Sequence, residues 1–143
     1  MEKERERAAQ QGYPSPINDS KKATDDAYDA AVEYCVKHVD RVSVVAGTHN
    51  ETSTQRLVQL MYEKRIVPDH HHIYFSQLYG MSDNLSYVLA KNGYNVSKYV
   101  PYGPVEDAIP YLVRRAEENS AVAGQVSREL DLINTELKRR RSG

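Results

Sequence analysis

The sequence predicts an α/β domain in which helices alternate with the strands of a parallel sheet. Three short runs rich in β-branched and aromatic residues are separated by segments with helical periodicity. Strands that alternate with crossover helices pair in parallel, because each helix returns the chain to the same end of the sheet. The 143 residues hold about half the elements of an eight-fold barrel, which needs roughly 250 residues. We therefore interpret residues 1–143 as a single partial domain.

The helices are predicted from apolar residues that recur at intervals of three and four. The first follows a candidate cap at Asp19 or Ser20, and the helix near residue 104 opens after a proline, which the first turn tolerates. The five segments are SKKATDDAYDAAVEYCVKHV, the stretch after THNET, LSYVLAKNG, VEDAIPYLVRRAEENS and about 125 to 140, the last spaced by Val126, Leu130, Ile133 and Leu137 for packing.

The strands are predicted from short apolar runs that end in turn residues. They are VSVVAG (42–47), IYFSQL (73–78) and SKYVPYG (97–103). The first is a continuous β-branched run, the pattern of a strand buried on both faces. The third is ended by Pro101 and Gly103.

Composition and charge exclude several classes of function. Nineteen basic and twenty acidic residues leave a formal net charge of −1, which gives no bulk electrostatic reason to bind nucleic acid. The basic run 138–141 is short and is typical of a solvated helix end. The single cysteine, Cys35, excludes an internal disulfide framework. No apolar run approaches the ~20 residues of a membrane-spanning helix.

Polar and aromatic residues follow each predicted strand, where parallel α/β folds gather their functional groups. They are Thr48, His49 and Asn50 after the first strand, Gln77, Leu78 and Tyr79 at the second, and Tyr99 and Tyr102 in the third. A purely structural interpretation also stands, since Asn50 is a good helix cap and the tyrosines suit a strand. The histidine run 70–72 precedes the second strand and lies at the opposite edge, so we predict no metal site there.

The helix after Pro104 carries two separate stripes. Tyr111, Arg114, Arg115 and Glu118 fall within about 100° of one another at the helical period, whereas Val105, Ala108, Ile109, Leu112, Val113 and Ala116 form a second stripe that is expected to pack. The first stripe suits a solvent face with a local arginine–glutamate pair. It equally suits a carboxylate-binding site, because a guanidinium fork matches a carboxylate.

Four ordered motifs resemble the C-terminal half of proline dehydrogenase in its eukaryotic form. They are GTHNE (47–51), FSQLYGM (75–81), KYVPYGP (98–104) and PYLVRRAEENS (110–120), preceded by ERERAAQQGYPSPIND. The resemblance implies the C-terminal half of a distorted (β/α)8 TIM-type barrel, with three parallel strands and two C-terminal helices. It implies bound FAD, oxidation of L-proline to Δ1-pyrroline-5-carboxylate, and a quinone electron acceptor.

The resemblance also implies a role for individual residues. Arg114 and Arg115 match the arginine pair that binds the substrate carboxylate, and the proline ring is enclosed by Tyr99, Tyr111 and Leu78. The residues that match cofactor contacts are Thr48, His49, Asn50, Gln77 and Glu118. Tyrosine at position 99 favours proline, because related hydroxyproline dehydrogenases tend to carry a smaller residue there.

The expected partners are L-proline, a quinone, the matrix side of the mitochondrial inner membrane as a peripheral surface, and a second copy of the chain, with no nucleic acid. Glu2, Glu4 and Glu6 argue against a transit peptide on this chain. Because the motifs cover half of a barrel, we expect the isolated chain to be truncated and inactive. The alternatives are a non-catalytic fragment or interaction module of the same fold, and a hydroxyproline dehydrogenase.

Overall fold

The computed structural model describes the backbone of residues 1–118 and 120–141, and the side chains of residues 1–115 and 130–141. Within these ranges the chain alternates helices with strands. The elements are α1 (Glu2–Gln11), α2 (Lys21–Lys37), β1 (Val44–Gly47), α3 (Glu51–Glu63), β2 (Ile73–Leu78), α4 (Asp83–Lys91), β3 (Val96–Tyr99), α5 (Val105–Glu118) and α6 (Ser120–Arg141). No helix in the described ranges is long and apolar enough to cross a bilayer.

The strands form one parallel sheet in the order β1-β2-β3, which confirms the predicted α/β class and is consistent with part of a barrel. In the register, Val44 pairs with Ile73, and Leu78 pairs with Tyr99. Strand β2 has the predicted bounds. Strand β3 ends at Tyr99, four residues earlier than predicted, because Pro101 has no N–H to continue the ladder.

One face of the sheet carries the core. Apolar residues of α2, α3 and α4 pack on alternate strand residues, and Ala46, Ile73 and Phe75 are at most 2% exposed. On the other face Val45 and Tyr99 are 63% and 53% exposed. The prediction that the first strand is buried on both faces is therefore wrong, because Val45 is exposed on the face opposite α2, α3 and α4.

The N-cap residues of α2, α3 and α4 differ in whether their side chains form a capping hydrogen bond. Ser20 is the N-cap of α2 and accepts a hydrogen bond from the Ala23 N–H at 3.1 Å, and Asn50 caps α3, as the sequence predicts for both. Helix α4 begins differently: Ser82 has a φ of 52° and its side chain makes no capping hydrogen bond.

The two last helices are less packed than the sequence predicts. Val105, Ile109, Leu112 and Val113 of α5 are 41–70% exposed, so the expectation that this stripe packs is not met within the described residues. The apolar positions of α6 behave in the same way, with Leu130, Ile133 and Leu137 all exposed. An apolar helix face becomes buried only where another apolar surface lies opposite it. The apolar residues on the covered face of the sheet are already in contact with α2, α3 and α4.

Candidate active site

A cleft of about 500 Å³ lies at the carboxyl edge of the sheet, between the open face and α5. Its size falls within the range of small-molecule sites. The cleft brings together six residues that the sequence singles out: His49, Gln77, Leu78, Tyr99, Tyr111 and Arg115. They come from the ends of three strands and from one helix, although they are up to 66 positions apart in the chain.

Two tyrosines join α5 to β3 across the cleft. The rings of Tyr99 and Tyr111 meet edge-on, with centroids 6.2 Å apart and planes inclined by 65°. A hydrogen bond to Tyr111, assisted by the charge of that residue and by partial burial, raises the pKa of Tyr99. The Tyr99 phenol therefore stays neutral at physiological pH, and the two rings form an aromatic wall.

The arginine pair is divided between the cleft and the solvent. The Arg115 guanidinium carbon lies 5.5 Å from the centroid of the Tyr111 ring, a cation–π distance, and Arg115 lines the cleft. Arg114 is exposed and is not among the lining residues. The side chain of Glu118, the fourth residue of the predicted stripe, lies outside the described residues.

The loop that follows β1 is tied to its surroundings by its own polar groups. The Asn50 N–H donates to Thr48 Oγ1 at 3.0 Å, and the Asn50 amide oxygen accepts from the Thr52 N–H at 2.9 Å. The Thr48 N–H donates to the Ser76 carbonyl at 3.2 Å. Asn50 therefore has the structural role left open at the sequence level, and it fixes the path of the loop at the cleft edge.

His49 is half-buried beside the first turn of α4. Its Nδ1 lies 2.8 Å from Ser82 Oγ, and the Leu78 N–H donates to its Nε2 at 3.4 Å. Burial, together with the positive charge of Lys98, lowers the pKa of His49. The imidazole is therefore neutral at physiological pH.

Gln77 points to the helix side of the sheet. It follows Ile73 and Phe75 at alternate positions, and its side chain is 2% exposed. Ser86 Oγ donates to its amide oxygen at 2.9 Å, and its amide nitrogen donates to the Thr48 carbonyl at 3.4 Å. The amide thus supports the loop from behind, on the far side of the sheet from the residues of the open face.

The sequence reasoning missed three residues at this edge. Ser82 and Ser86 are buried, and Lys98 Nζ is 2.7 Å from both the Met81 carbonyl and an Asp83 carboxylate oxygen. Serines four residues apart in a helix carry no signal in a single sequence. The alternation of Lys98 with Tyr99 on opposite strand faces was the available sign that this lysine points toward the helices.

The histidine run lies away from this site, before β2. His72 Nδ1–H donates to the Val39 carbonyl at 2.6 Å, and the His72 N–H donates to His70 Nδ1 at 3.2 Å. These contacts join the loop before β2 to the end of α2. In the described side chains no group of three or more histidine, cysteine or acidic residues is arranged to hold a metal ion.

The carboxyl edge of the sheet leaves open space beside an apolar surface. Gly47 lines the cleft without a side chain, and a Cβ added there would meet nothing within 4 Å. Leu78 and Tyr99 pair across β2 and β3 and give an apolar surface beside it. The fold and cleft define an α/β protein with a cleft of small-molecule size at the carboxyl edge of a parallel sheet, where a guanidinium is set against an aromatic ring.

Comparisons with known proteins give the family. The sequence profile of the proline dehydrogenase family matches residues 1–128, so the chain belongs to this family. It is 44% identical to mitochondrial proline dehydrogenase 1 of Caenorhabditis elegans and 42% identical to that of Homo sapiens, in each case over 98% of this chain and 24% of the relative. It is 38% identical to hydroxyproline dehydrogenase of Bos taurus, over the whole chain and 32% of the relative. The chain thus spans a quarter to a third of the length of these relatives.

Proposed function

We propose that this chain forms the substrate-facing part of a mitochondrial, FAD-dependent proline dehydrogenase, which oxidises L-proline to Δ1-pyrroline-5-carboxylate. One observation carries the proposal. Six residues with implied roles in substrate or cofactor binding line a single cleft, and Arg115 and Tyr111 face Tyr99 across it. Family membership and the names of the relatives support the same activity.

The arginines bind the substrate through its carboxylate. Arg115 offers a planar fork of N–H donors that suits a carboxylate, and its contact with the Tyr111 ring limits the freedom of the guanidinium. Arg114 is the second guanidinium of the pair and reaches the carboxylate from the solvent side. Two-point binding of this kind orients the ring and supplies much of the rate enhancement.

The apolar walls enclose the ring of the substrate. Leu78 and Tyr99 stand on the sheet side and Tyr111 on the side of α5, and they exclude water from the carbon that is oxidised. The neutral phenol of Tyr99 adds no negative charge that would compete with the carboxylate for the arginines.

The cofactor is held at the β1 edge. Thr48, His49 and Asn50 contact it directly, and Gln77 supports the loop from behind. The resemblance adds Glu118, whose side chain lies outside the described residues. When bound, FAD accepts the hydride from the proline carbon next to nitrogen. The electrons go to a quinone, at the matrix side of the mitochondrial inner membrane.

Hydroxyproline is the second candidate substrate, because a hydroxyproline dehydrogenase is among the relatives. A 4-hydroxyl group needs space near the ring-enclosing wall. The edge-on contact of Tyr99 with Tyr111 fills this space, and this observation favours proline.

Flavin binding by the 143-residue chain is the first test. The visible spectrum is recorded during titration with FAD, with and without L-tetrahydrofuroic acid, a proline analogue that keeps the carboxylate. A flavin band that shifts with the analogue supports the site. If the folded chain binds neither compound, its residues supply only one part of an active site, and a test with the rest of the barrel supplied decides the activity.

The activity itself is tested in a hybrid enzyme, defined here as the human relative with its matching segment replaced by this chain. We expect the hybrid enzyme to oxidise proline with a quinone acceptor and to prefer proline to 4-hydroxyproline. A folded, flavin-loaded hybrid enzyme without proline oxidation would overturn the proposal.

A further inference from the structure

We infer that Ser82 and Ser86 are positioning residues, which hold His49 and Gln77 in single orientations behind the cofactor side of the cleft. The two serines lie four residues apart at the start of α4 and are 2% and 5% exposed. The inference rests on the proposed function for the identity of the cofactor, but the orientations are properties of this chain.

Ser82 adopts a backbone conformation that its position does not explain. A serine before a helix ordinarily takes an extended conformation and caps the first turn with its hydroxyl. Ser82 instead has φ 52° and ψ 41°, the left-handed region, and makes no side-chain cap. That conformation is costly for a residue with a Cβ. In this conformation the hydroxyl lies 2.8 Å from His49 Nδ1. Ser82 thus makes a contact at the cleft in place of the usual N-cap hydrogen bond.

The contacts of His49 determine its tautomer. The Leu78 N–H can only donate, so Nε2 must accept from it. In a neutral imidazole the proton is then on Nδ1, which donates to the Ser82 oxygen. A lowered pKa keeps the ring in this neutral form. The Leu78 N–H therefore selects the tautomer, and Ser82 holds the ring in the orientation in which this contact is made.

The amide of Gln77 is fixed by a similar argument. The Thr48 carbonyl can only accept, so the amide must present its nitrogen to Thr48 and its oxygen to Ser86. Ser86 must then donate its proton to Gln77, although the Ser82 carbonyl lies 3.1 Å from the same hydroxyl. The Thr48 carbonyl thus sets which end of the amide faces the loop, and Ser86 holds the other end in place.

The two serines therefore hold neighbouring residues of the same loop. Ser82 holds the side chain of His49, and Ser86 acts through Gln77 on the carbonyl of Thr48. Both supports start from the first turn of α4, so the position of that turn sets the position of the loop. Without them the loop keeps its covalent path and its Asn50 cap but loses its single orientation at the cleft.

The first experiment reads the tautomer without any cofactor. Long-range ¹H–¹⁵N spectra of the 143-residue chain are recorded for the parent chain, Ser82→Ala, Ser82→Gly and the exposed control Ser43→Ala, with His49 assigned through its loss in His49→Gln. We expect the Nδ1–H form in the parent and in Ser43→Ala, and a mixture of tautomers in both Ser82 variants. An unchanged Nδ1–H signal in both Ser82 variants would overturn the inference for Ser82.

The second experiment separates positioning from stability in the hybrid enzyme. Ser82→Ala and Ser82→Gly both remove the hydroxyl, but only glycine relieves the left-handed strain. We expect both to raise the FAD dissociation constant by about three- to tenfold, whereas only Ser82→Ala lowers the melting temperature. A merely structural role predicts that Ser82→Gly binds FAD as the parent does.

Ser86 is tested in parallel by Ser86→Ala and by Ser86→Thr, which keeps the hydroxyl. We expect Ser86→Ala to weaken FAD binding by about three- to tenfold and Ser86→Thr to restore it. Equal FAD affinity in Ser86→Ala and Ser43→Ala would contradict the role of Ser86. If the folded parent hybrid binds no FAD, the proposed function fails, and the tautomer spectra still decide the inference for Ser82.

Discussion

The two faces of the β1-β2-β3 sheet contrast sharply in what covers them. On the face toward α2, α3 and α4, Ile73 and Phe75 are fully buried. On the other face Tyr74, between them in sequence, is 40% exposed, and the same face leads to the cleft. Because strand side chains alternate, neighbouring residues have different surroundings: one set packs in the core and the other faces the cleft. Substitutions at adjacent positions should therefore separate stability from binding.

The largest expected effect is on the covered face. Phe75→Ala should lower the free energy of unfolding by about 3–5 kcal/mol, because it removes a fully buried ring and leaves a cavity. Tyr74→Ala, the matched variant on the open face, should cost about 0.5–1 kcal/mol through its cross-strand contact. Urea unfolding followed by circular dichroism gives both values, and equal losses would break the comparison between the faces.

Substitutions in the cleft should change the affinity for ligand more than the free energy of unfolding. Arg115→Lys keeps the charge but loses the planar fork, so the dissociation constant for L-tetrahydrofuroic acid should rise about tenfold to a hundredfold in the hybrid enzyme. Arg114→Lys should have a smaller effect, because Arg114 is exposed and does not line the cleft.

The exposed, remote Arg41→Lys is the control for both arginine variants. Calorimetric titration measures the three affinities and thermal unfolding checks that the fold is kept. An affinity for Arg115→Lys equal to that of the control would remove Arg115 from the substrate site.

The wall of the cleft should set substrate preference with a moderate effect. Tyr99→Ser removes the ring that meets Tyr111, and the ratio of kcat/KM for 4-hydroxyproline to that for proline should rise about tenfold in the hybrid enzyme. Tyr102→Ser is the matched control, because Tyr102 is fully exposed. A ratio that moves equally in both variants would show that ring loss at Tyr99 does not act through the cleft.

The same contrast explains what could be predicted from the sequence. Strand β2 was predicted residue for residue, because a compact apolar run between turn residues has no competing interpretation. The Asn50 cap and the gathering of His49, Leu78 and Tyr99 at one edge follow from residue type and from parallel topology. These features depend on local chemistry or on which end of a strand a residue occupies.

The remaining features depend on tertiary contacts. Sequence alone did not reveal that Gln77 faces the helices, because that requires knowing which face of β2 is covered. The left-handed conformation of Ser82 accompanies its contact with His49 and opposes local preference. The exposure of the apolar stripe of α5 depends on what lies opposite the helix, which periodicity does not report.

The smallest expected effect is the contribution of His49, at the cleft, to the pH dependence of the free energy of unfolding. Burial and Lys98 lower the pKa of His49 in the folded chain, whereas the unfolded chain titrates near the ordinary value of about 6.5. Above that value both states hold a neutral ring and His49 adds no pH dependence. Below it the unfolded state binds the extra proton. The free energy of unfolding therefore decreases as the pH is lowered, until the folded-state pKa is passed.

His49→Gln, which cannot titrate, should therefore lose less stability than the parent chain between about pH 7 and pH 5. Urea unfolding across that range measures the difference. Parallel curves for the two proteins would mean that the ring is not held neutral, and the tautomer argument for Ser82 would lose its basis.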